Sequence, residues 1–250
     1  MRVDHAKLTL PGHRTENQDR LDVVAGGEAL LLIVVDGMGG HAHGARAAEV
    51  TVTTLKEAFA EVVQPVFDPQ GFLTLALARA HDRVVKLGDG VALDHKPRAT
   101  CAVCLVQDGE AYWAHVGDSR IYQLRGGAIK TRTRDHSHVE LLLREGLIAE
   151  SEMRNHPMRN FVECCLGGES VLPEMTLSRR QPLEDGDVLM VCTDGVWSNL
   201  KDTDIAALLK APGKANGGWR PALEKLVEQA VAASTPHSDN ATAASLVWHH

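Results

Sequence analysis

The fold class this sequence predicts is α+β, with two antiparallel sheets packed face to face and helices outside them. Three observations carry that reading. The strand-like segments come in runs and do not alternate regularly with helices, as a doubly wound parallel sheet would require. Segments such as LLLIVV and VLMVC are continuously apolar, so both of their faces must be covered. The two long helical stretches of the first half are too apolar to stand free in water.

The elements follow in order. Residues 22–24 and 29–35 read as strands. Residues 45–60 carry Ala48, Val52, Leu55 and Phe59 at helical spacing, and 70–87 repeat the pattern. After a loop at 88–97, strands are expected at 99–107, 110–116 and 121–125. Asp108-Gly109 makes the first hairpin turn and Gly126-Gly127 the next. Ser137 is placed to cap a helix through Val139, Leu142 and Leu143 that stops near Gly146. Strands at 176–180 and 187–192, helices at 201–210 and 221–234 flanking the loop APGKANGG, and a strand at 241–248 complete the chain. No linker calls for a second unit, so residues 1–250 read as a single domain.

Composition narrows the function. With 33 acidic and 26 basic residues the net charge is −7, and no basic block appears, which argues against nucleic acid as a partner. No stretch approaches the roughly 18 apolar residues of a membrane span, and the first residues lack an apolar signal core, so a cytoplasmic protein without a membrane partner is expected. Cys101-x-x-Cys104 lies within a strand-like run, where residues three apart face opposite ways. Buried reduced thiols are expected there, not zinc ligands.

The chain contains five Asp-Gly steps. Those at Asp89, Asp108 and Asp185 read as turns. Asp36 and Asp194 instead end apolar runs, with no second alternating run directly after them. Asp19, Asp118 and Asp239 also stand at strand edges. A pair of like charges ~4 Å apart costs about 4 kcal/mol at an effective dielectric near 20. A site uniting these carboxylates would therefore need cations, and oxygen-only ligands suit Mg²⁺ or Mn²⁺. Spacing alone does not bring them together.

The segments RTENQD, VVDGMGGHAHG, HVGDSR, CTDGVW and SDNAT occur in the order and rough spacing of the metal-dependent Ser/Thr protein phosphatases. From about His5 to Val247 the chain resembles the bacterial type of the protein phosphatase 2C (PPM) family. The resemblance implies a four-layer α-β-β-α sandwich, with a flap-like segment at about 135–165. It implies that Asp36 bridges two Mn²⁺ or Mg²⁺ ions and that the Gly37 carbonyl binds one of them. Asp194 and Asp239 would complete one shell, and Asp19 would serve the other mostly through water. Asp118, sharing Asp194, would hold a third ion. Arg14 would act in catalysis by gripping the substrate phosphate. The implied activity is hydrolysis of phosphoserine and phosphothreonine in proteins by a metal-activated water, without a covalent phosphoenzyme. The implied partners are phosphorylated Ser/Thr proteins and a cognate bacterial Ser/Thr kinase, and a monomer is expected. Two alternatives stand beside this: a non-catalytic phosphoprotein-binding regulator, and a phosphatase of an anti-sigma-factor antagonist.

The chain departs from some members in two places. Gln18 stands where some carry Glu, and Met38 where animal members carry a histidine proposed as general acid. Ser119 is not read as a nucleophile, since HVGDSR lacks a nucleophile elbow. His41 and His43 are read as structural, His136 and His156 as packed or solvated, and Glu140, Glu145, Glu150 and Glu152 as a solvated helix face.

Overall fold

The computed structural model describes residues 2–38, 42–210 and 219–250. In chain order it contains β1 (Arg2–Leu10), β2 (Arg20–Ala25), β3 (Ala29–Met38), α1 (Ala42–Glu61), α2 (Pro69–Leu87), a 3₁₀ turn at Leu93–His95, β4 (Arg98–Gln107), β5 (Glu110–Val116), β6 (Arg120–Arg125), β7 (Ala128–Arg132), α3 (His138–Arg144), α4 (Glu150–Met153), β8 (Leu166–Gly167), β9 (Thr176–Leu177), β10 (Gln181–Pro182), β11 (Val188–Cys192), α5 (Asp194–Trp197), α6 (Asp202–Leu208), α7 (Arg220–Ala233) and β12 (Ala241–His249).

One sheet runs β1-β12-β11-β6-β7. The other runs β10-β5-β4-β3-β2, with β8 added beside β4 and β9 beside β5. Every pairing among the described residues is antiparallel.

Strand alternation explains why the apolar runs are continuous. In β3, Leu31, Ile33 and Val35 pack beneath α1 and α2, together with Leu55, Phe59, Leu73 and Leu77. The intervening Leu30, Leu32 and Val34 point the other way, against Ile121, Leu189, Val191 and Leu246 of the opposite sheet. The second outer layer packs Met190, Cys192, Ala243 and Val247 against Leu223, Leu226 and Val227 of α7. Helix, sheet, sheet and helix thus form four layers, as expected. Cys101 faces the helices and Cys104 the space between the sheets; both are free and buried.

The sequence reading missed two full-length strands, β1 and β7, and the two-residue strands β8 and β10. β1 and β7 are the outer strands of their sheet, and charged residues break their apolar pattern. The expected strand at 176–180 shrinks to two residues. Glu140 is not solvated: it is 5% exposed, beneath Arg134. Glu145, Glu150 and Glu152 are exposed, and Ser137 caps α3 as expected. His136 is packed, stacking on His115 with ring centroids 4.6 Å apart. His41 and the loop at 211–218 lie outside the described residues, while His43 is an exposed residue of α1.

Pairing registers place one set of chain ends at the same edge of the sandwich. Arg20 lies opposite Val35, Asp36 opposite Thr100, Cys101 opposite Val116, Arg120 opposite Cys192, and Leu10 opposite Ala241. The chain crosses between sheets twice at this edge, through the links β1–β2 and β5–β6.

Candidate active site

The five aspartates named from the sequence meet at that edge. Asp36 takes the inter-sheet position that follows Leu30, Leu32 and Val34. It lies inside β3, since the strand continues to Met38. Asp194 opens α5 directly after β11 and Thr193, so its carboxylate is held by a helical turn. Asp19 and Asp118 sit on the two crossing links, and Asp239 precedes β12.

Electrostatics shows how close the group is. Burial, and then the charges of Asp19, Asp194, Asp118 and Asp239, push the Asp36 carboxyl well above the usual carboxylate range. Burial, followed by Asp118, Asp239 and Asp19, does the same to Asp194. Burial raises Asp19 to about 6, against hydrogen bonds from Thr242 and Thr193; the Thr193 hydroxyl donates at 2.9 Å. Burial and the charge of Asp135 bring Asp118 to about 7, against the pull of Arg120. The cause is general: buried carboxylates held together repel each other's charged forms.

Arg14 is the cation of this cluster. Its Nη2 donates to Asp239 at 2.7 Å, and its own pKa is raised first by Asp239 and more weakly by Asp194 and Asp36. The side chain is 60% exposed, so most of its N–H donors face solvent. Arg14, Asp36, Gly37, Met38, Asp239 and Asn240 line a cavity of 340 Å³.

The glycines beside Asp36 and Asp194 are present for space. A Cβ on Gly195 would collide with the carbonyl oxygen of Asn240, and one on Gly37 with the carbonyl of Gly44 in α1. A Cβ on Gly44 would in turn stand 2.7 Å from the Gly37 carbonyl oxygen. Backbone meets backbone here, and that brings the two Asp-Gly segments onto their neighbours.

Three supports were not read from the sequence. Asn240 ties the β1–β2 link to the start of β12: its side chain accepts from the Gln18 N–H at 2.8 Å and donates to the carbonyls of Pro11 at 2.9 Å and Glu16 at 3.1 Å. Thr193 bonds Asp19 and also accepts from the Thr242 N–H. Arg120 forms a buried two-point ion pair with Asp135 and stacks 3.4 Å over the Trp197 ring, whose Nε1 donates to the Asp118 carbonyl at 2.9 Å. Only Trp197 left a trace in the sequence, standing three residues after Asp194 on what proves to be a helical turn. Ser119 is buried with its hydroxyl bonded to Thr100 at 2.7 Å, which removes it as a nucleophile.

The donor set fits hard divalent cations: it is all oxygen, strongly acidic, and destabilised by its own repulsion. Among the described residues no three His, Cys, Asp or Glu side chains enclose one point as a ready ligand cage. Asp239 is directed to Arg14. A small hard cation that keeps several waters needs only one or two carboxylates at first contact, so the fit does not depend on such a cage.

Comparisons with known proteins agree with the four-layer fold. The family model described as protein phosphatase 2C matches residues 12–238. The protein phosphatase PhpP of Streptococcus pneumoniae is 31% identical over 195 residues, covering 77% of this chain and 78% of its own. The Streptococcus agalactiae serine/threonine phosphatase superposes with a TM-score of 0.88 at 29% identity, covering 98% of this chain and 99% of that one. The catalytic domain of the serine/threonine phosphatase PstP, solved in complex with two manganese ions, superposes with a TM-score of 0.81 at 26% identity and covers 99% of both chains. By this match across its length, the chain belongs to the protein phosphatase 2C family.

Proposed function

We propose that this protein removes phosphate from phosphoserine and phosphothreonine in proteins, with residues 1–250 acting as one catalytic domain and opposing a cognate Ser/Thr kinase. The observation that carries the reading is the convergence of Asp19, Asp36, Asp118, Asp194 and Asp239 at one edge of the sandwich, with Arg14 beside them. Catalysis by the family counts against a merely phosphoprotein-binding role, and each of these carboxylates is present.

Asp36, Asp194 and Asp239, with the Gly37 carbonyl, are assigned to hold two Mn²⁺ or Mg²⁺ ions, and Asp19 to steady one of them. Asp118 with Asp194 is assigned to a third ion. Such ions, when bound, supply positive charge against phosphoryl oxygens and acidify water. The chain supplies the rest. Arg14 offers a planar fork of donors that matches a phosphate in two-point fashion, with one donor already engaged by Asp239. Met38 has no proton to give a leaving group, so protonation of the serine or threonine oxygen is assigned to water or to a histidine elsewhere in the chain. Thr193 and Asn240 fix Asp19 and the Arg14 link. The segment 135–165 is assigned as a flap: it leaves and re-enters the body where His138 N–H bonds Phe161 O and Glu163 N–H bonds His136 O.

A monomer acting in the cytoplasm is the accompanying reading. No helix among the described residues is long and apolar enough to cross a membrane. The test is turnover of p-nitrophenyl phosphate and a phosphothreonine peptide with Mn²⁺, repeated in EDTA. Full activity after complete chelation overturns the proposal.

A further inference from the structure

A second cavity, of 410 Å³, lies between α4 and the α5–α6 segment, with Asp118 and Asp194 at its inner end. It is therefore continuous with the carboxylate cluster and is of a size that takes a side chain or small ligand. Its charges sort unevenly. Arg120 is satisfied by Asp135, and Arg132 pairs with Asp202 at 3.0 Å. Arg154, Arg159 and Lys201 remain on the outer wall, and among the described residues none of them has a carboxylate within ion-pair distance. The acidic lining residues are Asp118, Asp135, Glu150, Asp194 and Asp202, of which Asp135 and Asp202 are already paired with Arg120 and Arg132.

The five basic and five acidic residues of the lining balance in formal charge, in a chain whose net charge is −7, and three of the cations have no ion-pair partner among the described residues. Two of them are also oriented. Arg154 Nη2 donates to the Ser198 carbonyl at 3.1 Å, which ties α4 to the end of α5. Arg159 Nη1 donates to the Arg154 carbonyl at 3.0 Å. Each guanidinium then keeps further N–H donors for an anion. Met153, Trp197 and Leu200 give the cleft an apolar lining, which lowers the screening of charge inside it.

We propose that this cleft is a subsite for an anionic side chain, carboxylate or phosphate, near the phosphorylated residue of the substrate. Arg154, Arg159 and Lys201 bind it, and they make the enzyme selective for acidic or multiply phosphorylated segments. This rests on the phosphatase reading above and specifies its substrate class. The cleft is too small to take a nucleic acid or a membrane.

The test compares kcat/KM for phosphothreonine peptides that carry glutamate, a second phosphothreonine, alanine or lysine within three residues on either side. The anionic peptides are expected to exceed the alanine peptide by roughly tenfold, the ratio that about 1.4 kcal/mol from one charge-assisted contact supports. The lysine peptide falls below alanine, and the preference shrinks as salt rises. In the double variant Arg154→Gln with Lys201→Gln, and in Arg159→Gln, the anionic-to-alanine ratio drops toward one. The stronger of the two anionic peptides identifies the natural anion. Equal rates for all peptides in the unaltered protein, or a ratio unchanged in the variants, overturn the subsite. If p-nitrophenyl phosphate is turned over in that case, the subsite alone fails. If no substrate is turned over with Mn²⁺, the phosphatase reading fails with it.

Discussion

At Asp36-Gly37 and Asp194-Gly195 the glycine keeps an ordinary backbone angle and is needed because a neighbouring carbonyl occupies the place of a Cβ. At Asp108-Gly109 and Asp185-Gly186 the glycine has φ 74° and 82°, so the backbone itself requires it, while around Gly186 a Cβ would meet open space. One dipeptide thus serves crowding in one region and chain reversal in the other. The difference teaches that the site is built by pressing backbones together, which is what allows carboxylates from both sheets to converge.

The largest expected effect separates the two kinds of aspartate. Asp36→Asn or Asp194→Asn should lower kcat by on the order of 10³, the scale seen when a preorganised charge-stabilising group is removed. Asp185→Asn should stay within about twofold. Equal losses in both regions would break the comparison.

Next comes pH. The folded pKa of Asp19, about 6, and of Asp118, about 7, both lie above their unfolded value of 3.8. In that window the folded chain holds more protons than the unfolded one, so without divalent ions stability falls as pH rises from about 4 to 7. His115, held near 4 by burial, acts oppositely between 4 and 6.5. It is common to both conditions, so it cancels in the difference between Mn²⁺ and EDTA. That difference in Tm should grow from pH 5 to 7.5 by roughly 5–10 °C, for on the order of 3 kcal/mol. A pH-independent difference would mean that the carboxylates do not share the ions.

Gly195→Ala is expected to cost about 1–3 kcal/mol by overpacking and to reduce activity with it. Gly186→Ala should cost about 1–2 kcal/mol from the left-handed angle and leave kcat intact. Tm and turnover measured together decide this. The smallest effect is expected from Trp197→Phe, which removes the N–H held on the Asp118 carbonyl. The midpoint of a metal titration should weaken about tenfold, with maximal rate little changed. An unmoved midpoint would show that the Arg120–Trp197 bracket does not position Asp118.

Much of the fold was legible because the central strands are apolar on both faces and four layers are the economical way to cover them. What stayed hidden included β1 and β7, whose charged outer residues break the pattern, the two-residue strands β8 and β10, and the burial of Glu140, which contacts Arg134. In the site, aspartates at strand edges could be named from local pattern and family likeness. Asn240, Thr193 and Arg120 could not, since each acts through a partner more than a dozen residues away: Gln18, Asp19 and Asp135.

The two crossings at one edge carry a mechanical consequence. The carboxylates are anchored to one sheet or the other, and the rest of the sandwich is held face to face mainly by apolar side chains, with polar links such as Lys7–Asp22 and Gln123–Pro182 at its sides. A slip of one sheet past the other by a single residue step, about 3.3 Å, would pull the acidic groups out of reach of a shared ion. With ions shared as proposed, the site would act as a clasp on sheet alignment, and their occupancy would report whether the two halves of the molecule are in register.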